Sequence, residues 1–455
     1  MYDIAIIGGG ASGLAAACQT VGAVNKEGRP LSVIVIEKEN RCGKKLLATG
    51  NGRCNLTNVD TDLSHYHGSV KEIAASVFEK TDDRVLQRFW QDLGIEYTQG
   101  DRGKLYPRSL QASSVLNALR RKMEKGGVIE KTGSRLTGLR RTKAGYYELS
   151  LLVEKKDPQE DKPGSGRTRG GKPSVKAVYE KEKLTAHTVL ICMGGKASPQ
   201  LGADGDGTRL ARSLDMKVAP EYPAICRILI DSPYNKRLSG TKVTCPVTLW
   251  DQTDKAASAE GEVLFTDEGV SGPPILDLSR KTGQILRNRR KAFLTLDLCP
   301  EMNKGQLFAY FSQRFETLKD LSLEEALEGW LPKKMILPLL MTAGLDKSMV
   351  SGQMTGPLTG RLMDTVKAWT LTVSAIDSFK DAQVTVGGVT ADQIGEDLMS
   401  PAWPGLFWCG EVLDLDGDCG GYNLRWATAS GITAAQNAAA YLDTIGRPGK
   451  GAPRG

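Results

Sequence analysis

Two short apolar runs near the start of the chain flank a stretch of small residues. The first, residues 4–7, runs directly into Gly8-Gly-Gly10-Ala-Ser-Gly13, and Leu-Ala-Ala-Ala-Cys follows. The second, residues 31–36, ends in Glu37. Short apolar runs bounded by turn residues are typical of buried strands, so the pattern predicts strand, glycine turn, helix and strand in that order.

The glycines and the acid of this unit fit a dinucleotide. A first glycine lets the chain turn tightly, a second lets the backbone approach a pyrophosphate, and a third lets helix and strand pack closely. Unpaired amides at the helix N-terminus favour negative charge, so we assign the pyrophosphate to Gly8, Gly10, Ala11, Ser12 and Gly13. Glu37 is expected to accept hydrogen bonds from an adenosine ribose.

Helical and strand-like patterns alternate over the next part of the chain. Helical spacing predicts helices at 70–78, 83–93 and 113–126. Strand-like patterns predict a hairpin from 146–153 and 175–179, and an apolar strand at 186–192 that runs into Gly194-Gly195. Residues 41–58 are glycine-rich and polar, which predicts a long loop.

The pattern changes between residues 196 and 369 and then returns. Short β-rich pieces at 243–250, 261–265 and 292–298 predict a small barrel or curled sheet, and helical patterns lie at 307–315, 323–328 and 334–340. The last part has a strand at 404–411 that ends in an acid, and a helix rich in small residues that opens at 420–435. A nucleotide-binding domain split by an insertion explains this order.

Composition excludes several classes of protein. No apolar run approaches the ~18 residues of a membrane-spanning helix, so no membrane partner is expected. The first strand begins at residue 3, which leaves no room for a secretory signal. Nine cysteines without short regular spacing favour reduced thiols over a disulfide framework and predict a cytoplasmic protein.

The net charge of +7 raises the question of a nucleic-acid partner. Much of the excess lies in residues 155–176, which are rich in Pro, Gly and charge and carry no aromatic residues for base stacking. We interpret this segment as a solvated, mobile loop and expect no nucleic-acid partner. His65 and His67 have no third His or Cys ligand beside them, so we interpret them as a loop pair without a role and expect no metal site.

The C-terminal unit distinguishes FAD from NAD. In FAD enzymes of the glutathione-reductase type, a late strand ends in Gly followed by an acid that holds the ribityl chain. The next helix points its N-terminus at the flavin N1/O2 edge and stabilises the negative charge that develops there. Gly410-Glu411 and Gly420-Gly-Tyr-Asn423 fit these two roles.

Three segments resemble a known family. Gly43-Lys-Lys-Leu-Leu-Ala-Thr-Gly-Asn-Gly-Arg-Cys-Asn-Leu-Thr-Asn58, Gly387-Gly-Val389 and residues 405–424 are similar to the bacterial NAD(P)/FAD-dependent oxidoreductases of the aminoacetone oxidase family, and to a bile-acid-pathway flavoprotein of gut anaerobes. One departure is clear: a Thr-His pair of the family reads Thr266-Asp267 here, so no role of that histidine transfers.

The resemblance implies an α/β fold in which a Rossmann-like FAD-binding domain of the glutathione-reductase type is split by a β-barrel insert and a helical insert. The expected segments are an FAD-binding N-terminal part, a barrel-like insert, a helical insert, a return through the barrel and an FAD-binding C-terminal part: 1–195, 196–303, 304–355, 356–372 and 373–455.

The resemblance and the chemistry of the residues together assign further cofactor contacts. Glu411 is expected to hold the ribityl chain, and Gly421, Asn423 and Leu424 to lie at the flavin pyrimidine edge, with Gly194 on the neighbouring strand end. Val128 is expected beside the adenine. Flavin contacts are expected from Asn51, Gly52, Arg53 and Asn55, with a structural loop clamp as the alternative for Arg53. Lys38 and Lys45 are expected to neutralise phosphate or to border the adenine side, with solvated side chains as the alternative.

The leading hypothesis is an FAD-dependent oxidoreductase that moves hydride between NAD(P)H or an organic donor and a small organic acceptor, either an enone, a steroid-like molecule or oxygen. NAD(P)H is expected as a transient reductant, because no second strand–glycine–helix unit occurs and Gly202 to Gly207 has the pattern of a turn. Alternatives are a flavin-dependent RNA-modifying or RNA-binding protein and a non-catalytic flavin sensor. Asn51, Arg53 and Tyr422 are the candidate catalytic residues, and the sequence leaves the oligomeric state open.

Overall fold

The structure is a computed structural model, and it describes residues 1–155 and 178–445. The chain divides into two compact units. Unit 1 comprises residues 1–221 and 386–455, and unit 2 comprises residues 222–385.

The first segment of unit 1 contains the following elements, given in chain order: β1 (Tyr2–Ile7), α1 (Ala11–Thr20), β2 (Val33–Ile36), α2 (Lys44–Ala48), β3 (Thr57–Asn58), β4 (Tyr66–His67), α3 (Lys71–Lys80), α4 (Asp83–Asp92), β5 (Tyr97–Gln99), β6 (Lys104–Pro107), α5 (Ala112–Lys125), β7 (Ile129–Lys131), β8 (Ser134–Arg141), β9 (Tyr147–Glu154), β10 (Tyr179–Ile191) and α6 (Asp206–Ser213).

Unit 2 and the return to unit 1 continue the order: β11 (Tyr222–Ala224), β12 (Ile228–Ile230), α7 (Asn235–Leu238), β13 (Lys242–Asp251), β14 (Asp254–Phe265), β15 (Gly269–Ser271), α8 (Pro273–Arg287), β16 (Ala292–Leu296), α9 (Lys304–Thr317), α10 (Leu323–Leu327), α11 (Lys333–Thr342), α12 (Gly356–Lys367), β17 (Trp369–Ile376), β18 (Val384–Val386), β19 (Leu406–Trp408), β20 (Asp416–Gly417) and α13 (Tyr422–Ile445). No helix in the described ranges is both long enough and apolar enough to cross a membrane.

A seven-stranded sheet forms the centre of unit 1. Its order is β7-β2-β1-β10-β9-β8, and β19 also pairs with β10. Strands β1, β2, β7 and β19 run parallel to their neighbours, as crossover connections require, whereas β9 and β8 are antiparallel. Strands β1 and β2 and helix α1 are almost fully buried, so the predicted strand–helix–strand unit and the Rossmann-type α/β fold are confirmed.

The predicted hairpin is also confirmed, with one correction. Strand β9 pairs antiparallel with β10, but β10 is continuous from Tyr179 to Ile191, so the two strands expected at 175–179 and 186–192 are one. Most of the basic segment 155–176 lies outside the described residues. The last pair of the ladder joins Glu154 to Tyr179, and Lys155 N donates to the carbonyl of Val178 at 2.8 Å.

Because the ladder closes at this point, the segment between its ends should be dispensable. We expect replacement of residues 156–177 by a short Gly-Ser turn to leave the far-UV spectrum, the FAD content and the rate of flavin reduction unchanged, since a short turn can join two paired strand ends. A severalfold loss of turnover with FAD still bound would identify the segment as part of a substrate or partner site instead.

Unit 2 contains a closed barrel in the order β12-β15-β14-β13-β16-β17. The inward residues of β13 and β16 alternate with outward ones, and helices α8 to α12 pack their apolar sides into the same core. The predicted barrel and the helices predicted at 307–315, 323–328 and 334–340 are therefore confirmed. Unit 1 continues past the expected boundary at residue 195, because Ala211 and Leu214 of α6 and the following loop lie in its core.

Five helices were not predicted, namely α2, α6, α7, α8 and α12. Both α8 and α12 begin with Gly followed by Pro, a pair that favours a loop in a sequence reading. Proline is nevertheless well tolerated in the first helical turn, because its missing N–H would have no partner there. Helix α2 is a single turn inside the expected loop 41–58, and α7 is a four-residue helix. Helix α6 begins at Asp206, inside the segment from Gly202 to Gly207 that was predicted to be a turn.

Candidate functional site

The glycine turn after β1 is held by close backbone contacts. Gly8 has φ +102°, and a Cβ there would clash with the carbonyl of Cys192. A Cβ on Gly13 would clash with the carbonyl oxygen of Gly8. Only glycine fits these two positions, which draw α1 close to the ends of β1 and β10.

Gly10 differs from both neighbours because it borders open space. A Cβ added to Gly10 would meet nothing within 4 Å. Gly10 is also the N-cap of α1, where no side chain caps the helix and the first turn holds no acid. Free first-turn amides beside an open space of this kind fit a pyrophosphate, as predicted for Ala11 and Ser12.

Glu37 follows β2 and turns toward this glycine loop. Its Oε2 accepts a hydrogen bond from Gly9 N at 2.7 Å, and its Oε1 accepts one from Glu39 N at 2.8 Å. Burial raises the pKa of the carboxyl above its usual value, although the two backbone hydrogen bonds act in the opposite sense. A carboxylate fixed beside the glycine loop is well placed for a ribose.

We expect Glu37→Ala to weaken FAD binding by roughly ten- to a hundredfold, because a charged acceptor contributes about 1.5–3 kcal/mol. Glu37→Gln keeps the side-chain size and one acceptor oxygen, so it should lose less affinity for FAD. Flavin fluorescence titration gives both affinities, and the rate of flavin reduction at saturating FAD should not change. Equal affinity in wild type and Glu37→Ala would place the carboxylate away from the cofactor.

Lys38 and Val128, also predicted near the adenosine end of FAD, do not lie as a cofactor contact requires. The Lys38 ammonium is neither solvated nor free for phosphate, since Nζ lies 2.6 Å from Asp204 Oδ1 and 3.1 Å from Asp206 Oδ2. Val128 precedes β7, whose register with β2 sets Ile129 opposite Ile34. Val128 is therefore at the amino end of these parallel strands, whereas dinucleotides bind at the carboxyl ends, and the position does not support an adenine contact.

Lys45 and Glu411 meet although 366 residues separate them. Lys45 Nζ lies 2.8 Å from Glu411 Oε2, and both side chains are largely buried. The structure thus joins the predicted ribityl-binding acid to a cation from α2. Gly194, which follows β10, has φ +66° and no atom within 4 Å of an added Cβ, so the strand end beside them is open.

The segment between α2 and β3 carries Asn51, Gly52 and Arg53, which were predicted to contact the flavin. Asn51, Gly52 and Arg53 are exposed, and Asn51 is left-handed with φ 55°. Arg53 Nε donates to the carbonyl of Gly50 at 3.2 Å, and the guanidinium lies 4.8 Å from the centre of the Tyr106 ring. These contacts favour the loop-clamp alternative for Arg53.

The N-terminus of α13 presents the best-defined flavin-edge candidates. Gly421 has φ +105°, and a Cβ there would lie 2.5 Å from the carbonyl of Thr57 and 2.9 Å from Asn55 Oδ1. Asn55 Oδ1 and Thr57 Oγ1 are buried without a hydrogen-bond partner. Buried polar atoms rarely remain unpaired, so this pair fits a polar ligand such as the edge of a flavin ring.

The neighbouring residues of α13 have structural contacts. Asn423 Oδ1 accepts from Gly417 N at 2.8 Å, and Asn423 Nδ2 donates to the Gly417 carbonyl at 2.7 Å, so its side chain clamps the preceding loop. The side chain of Leu424 is half-buried. Tyr422 is 4 % exposed and stacks on His65, with ring centroids 4.3 Å apart.

His65 and His67, interpreted from the sequence as a loop pair without a role, have a common contact in the structure. Both contact Asp418, which is more than 350 residues away. Short-range spacing carries no signal for such a contact. Asp418 precedes Gly420-Gly421 by two residues, and this proximity to the predicted flavin segment was the one available hint.

Comparisons with known proteins agree with this geometry. A family model described as HI0933-like protein Rossmann domain matches residues 2–162 and 165–437. The chain is 32% identical over 440 residues to 3-dehydro-bile acid delta(4,6)-reductase of Clostridium scindens, which covers 96% of this chain and 99% of that protein. It is 25% identical over 442 residues to ribosomal RNA dihydrouridine synthase of Escherichia coli, covering 96% and 98%.

A solved structure shows the same fold. A quinol fumarate reductase chain of E. coli superimposes with a TM-score of 0.50 at 13% identity, covering 99% of this chain and 72% of that one. The glycine turn, the acid after β2 and the glycine that precedes α13 thus occur together in a chain that matches one family model over nearly its whole length. The chain belongs to the HI0933-like Rossmann-domain family and is an FAD-binding flavoprotein of the oxidoreductase class.

Proposed function

We propose that this flavoprotein uses NAD(P)H to saturate a carbon–carbon double bond conjugated to a carbonyl group in a steroid-like small molecule. The observation that carries the proposal is the 32% identity, over nearly the full length of both chains, to a reductase of 3-dehydro-bile acids.

The names of the relatives describe a common chemistry. A Δ4,6-reductase of a 3-dehydro steroid saturates double bonds conjugated to a ketone, and dihydrouridine is uridine with the double bond next to its carbonyl saturated. In the step proposed for this chain, a hydride adds to the carbon β to the carbonyl and a proton adds to the α carbon, while NAD(P)H is oxidised to NAD(P)⁺. FAD supplies the two-electron carrier through its N5 when bound.

The chain's own residues supply binding and orientation for this chemistry. The first-turn amides of α1 and Glu37 would hold the pyrophosphate and ribose of FAD, and the Lys45–Glu411 pair would hold the ribityl chain. The α13 N-terminus, with the unpaired Asn55 Oδ1, would fix the pyrimidine edge and favour negative charge there.

A transient visit by NAD(P)H is supported by the segment from Gly202 to Gly207. This segment leads into α6, but its carboxylates Asp204 and Asp206 lie at the start of that helix and are ion-paired with Lys38 and Arg135. Two carboxylates would repel a pyrophosphate, so this second glycine-rich turn is unsuited to a dinucleotide.

Nine free cysteines, eight of them buried, support our placement of the enzyme in the cytoplasm.

The test is anaerobic stopped-flow kinetics on the FAD-loaded protein. We expect NADH or NADPH to bleach the flavin absorbance rapidly, and a 3-oxo-Δ4 steroid to restore it faster than the corresponding saturated ketone does. Oxygen is run in parallel, because an oxidase is a close variant. Reoxidation by oxygen alone, with no response to any enone, would contradict the proposal, and absence of reduction by either nucleotide would favour a non-catalytic sensor.

A second candidate is reduction of uridine in RNA. It is favoured by the 25% identity to ribosomal RNA dihydrouridine synthases of two bacteria, which also extends over nearly the full chain. The same experiment distinguishes the two, with ribosomal RNA lacking dihydrouridine as an added acceptor. Reoxidation by RNA but not by the steroid enone would establish the second candidate in place of the first.

A further inference from the structure

His65 and His67 share one carboxylate. His65 Nδ1 lies 3.0 Å from Asp418 Oδ2, and His67 Nε2 lies 2.8 Å from Asp418 Oδ1. Backbone contacts fix the arrangement, since β4 pairs with β20 and Asp418 N donates to the carbonyl of His65 at 2.9 Å. In the part of the chain that the structure describes, no three His, Cys, Asp or Glu side chains form a metal site, so the cluster needs another explanation.

The two ring nitrogens of His65 both face carboxylates. Its Nε2 lies 3.0 Å from Asp60 Oδ2, on the side opposite Asp418. A neutral imidazole has one donor nitrogen and one acceptor, whereas a carboxylate only accepts, so two such contacts require the imidazolium form. Partial burial lowers the pKa of His65, but the hydrogen bonds to Asp60 and Asp418 outweigh it and raise the pKa above its usual value.

The pKa values of the two carboxylates, Asp60 and Asp418, shift in the opposite direction, downward. The hydrogen bond from His65 lowers the pKa of Asp60. Burial raises the pKa of Asp418, but the contacts with His67 and His65 outweigh it and leave that pKa low. In its charged form, His65 is therefore a cation held between two anions.

The imidazolium also contacts the start of α13. Its ring stacks on Tyr422, the first residue of the helix, at an interplanar angle of 17°. A cation over a tyrosine face is attracted by the ring electrons. Tyr422 is fixed from the other side, where the Tyr66 hydroxyl donates to its carbonyl at 3.2 Å and Arg425 Nη1 lies 3.4 Å from that hydroxyl.

We propose that His65, bridged between Asp60 and Asp418 and stacked on Tyr422, is a pH-dependent positioning residue for the first turn of α13. Its consequence for the cofactor rests on the proposed function, in which the pyrimidine edge of FAD lies at that turn. Loss of the imidazolium proton would leave a ring nitrogen lone pair facing a carboxylate and would remove the cation from the tyrosine ring.

The sign of the pH dependence follows from the raised pKa of His65. The positioning contribution is fully present below the usual pKa of histidine, and it is lost as the pH rises through the raised value. The other charged groups around the cluster are Asp62 and Lys71 near the 60–65 loop, and Arg425 with Asp83 beyond Tyr422. His67 is the other imidazole on Asp418, so experiment must separate its signal from that of His65.

The first test is NMR of the FAD-loaded protein with ¹³C-labelled histidine. The chain has three histidines, so H65Q and H67Q assign two signals and the third follows by elimination. We expect the His65 signal to titrate at higher pH than an unperturbed histidine, and the Tyr422 ring signals to shift over the same range. D60N, which alters an exposed side chain, should lower that midpoint. An unperturbed His65 midpoint, or Tyr422 signals that do not follow it, would overturn the proposal.

The second test measures FAD release against pH. We expect H65Q to release FAD about two- to fivefold faster than wild type near pH 6 and at the same rate near pH 9, since partly exposed ion pairs contribute up to about 1 kcal/mol. H65F keeps the stacked ring without the charge and should behave like H65Q. K217Q removes a cation from an exposed pair elsewhere in unit 1 and should match wild type. Equal release by H65Q and wild type at every pH would contradict the proposal.

Neither test uses a substrate, so both remain decisive if the enone and RNA acceptors fail. Conversely, enone turnover with an unperturbed His65 titration would support the proposed function and reject the positioning role.

Discussion

Gly10→Val should yield a folded protein that does not retain FAD. The backbone at Gly10 is extended, with φ −81° and ψ −166°, a region that valine adopts readily. No atom of the protein lies within 4 Å of the added Cβ, so the substitution should cost the apo fold little. The new side chain would instead occupy the space beside the first-turn amides of α1.

The expected loss of affinity is large. Displacing the pyrophosphate from two amides removes two charge-assisted hydrogen bonds of about 1.5–3 kcal/mol each, which corresponds to roughly a hundred- to ten-thousandfold weaker binding. The ratio of flavin to protein absorbance after purification, followed by fluorescence titration with FAD, measures the effect. Gly10→Ala adds a smaller side chain at the same position and should lose less affinity for FAD than Gly10→Val.

Thermal unfolding of the apo forms is the control. Because bound FAD stabilises the native state by mass action, wild type and Gly10→Val must be compared without cofactor, where their unfolding midpoints should agree. A full complement of FAD in Gly10→Val would mean that the pyrophosphate lies elsewhere, and a large drop in apo stability would mean that the open space serves the fold.

The nucleotide unit was predictable because its information is local. β1, the glycine turn, α1, β2 and Glu37 lie within the first 37 residues, and each residue type follows from a steric or electrostatic requirement at its own position. The barrel was predictable for a similar reason, because strands with alternating polar and apolar residues, bounded by turn residues, can be recognised from the local sequence.

The rest of the site depends on contacts between distant segments. The pairing of Lys45 with Glu411 and of His65 with Asp418 is set by how α2, β4 and β20 pack, and no short-range pattern encodes it. The same limit explains the correction for Lys38, whose partners Asp204 and Asp206 lie more than 160 residues away. Residue type predicted a role for Lys45 and Glu411 but none for His65, and tertiary packing determined what each side chain touches.

The helices α1 and α13 approach each other so closely that one glycine sets their separation. Gly431 is buried in the middle of α13, and a Cβ there would clash with the carbonyl oxygen of Ser12 and lie 3.1 Å from its carbonyl carbon. The three nearest atoms belong to the backbone of Ser12 in α1, so no side-chain rotation relieves the clash and the two helices would have to separate.

We therefore expect Gly431→Ala to lower the free energy of unfolding by about 1–3 kcal/mol, the range typical of overpacking in a tight core, even though alanine favours a helix by about 1 kcal/mol. Gly360→Ala is the matched control, because Gly360 lies inside α12 with no atom within 4 Å of an added Cβ. That substitution should raise the free energy of unfolding by about 0.5–1 kcal/mol.

Urea unfolding with and without excess FAD measures both variants. Since Ser12 belongs to the pyrophosphate-binding turn, Gly431→Ala should also weaken FAD binding, whereas Gly360→Ala should not. Equal stabilisation by the two substitutions would show that α1 and α13 can separate without cost and that their close contact does not support the cofactor turn.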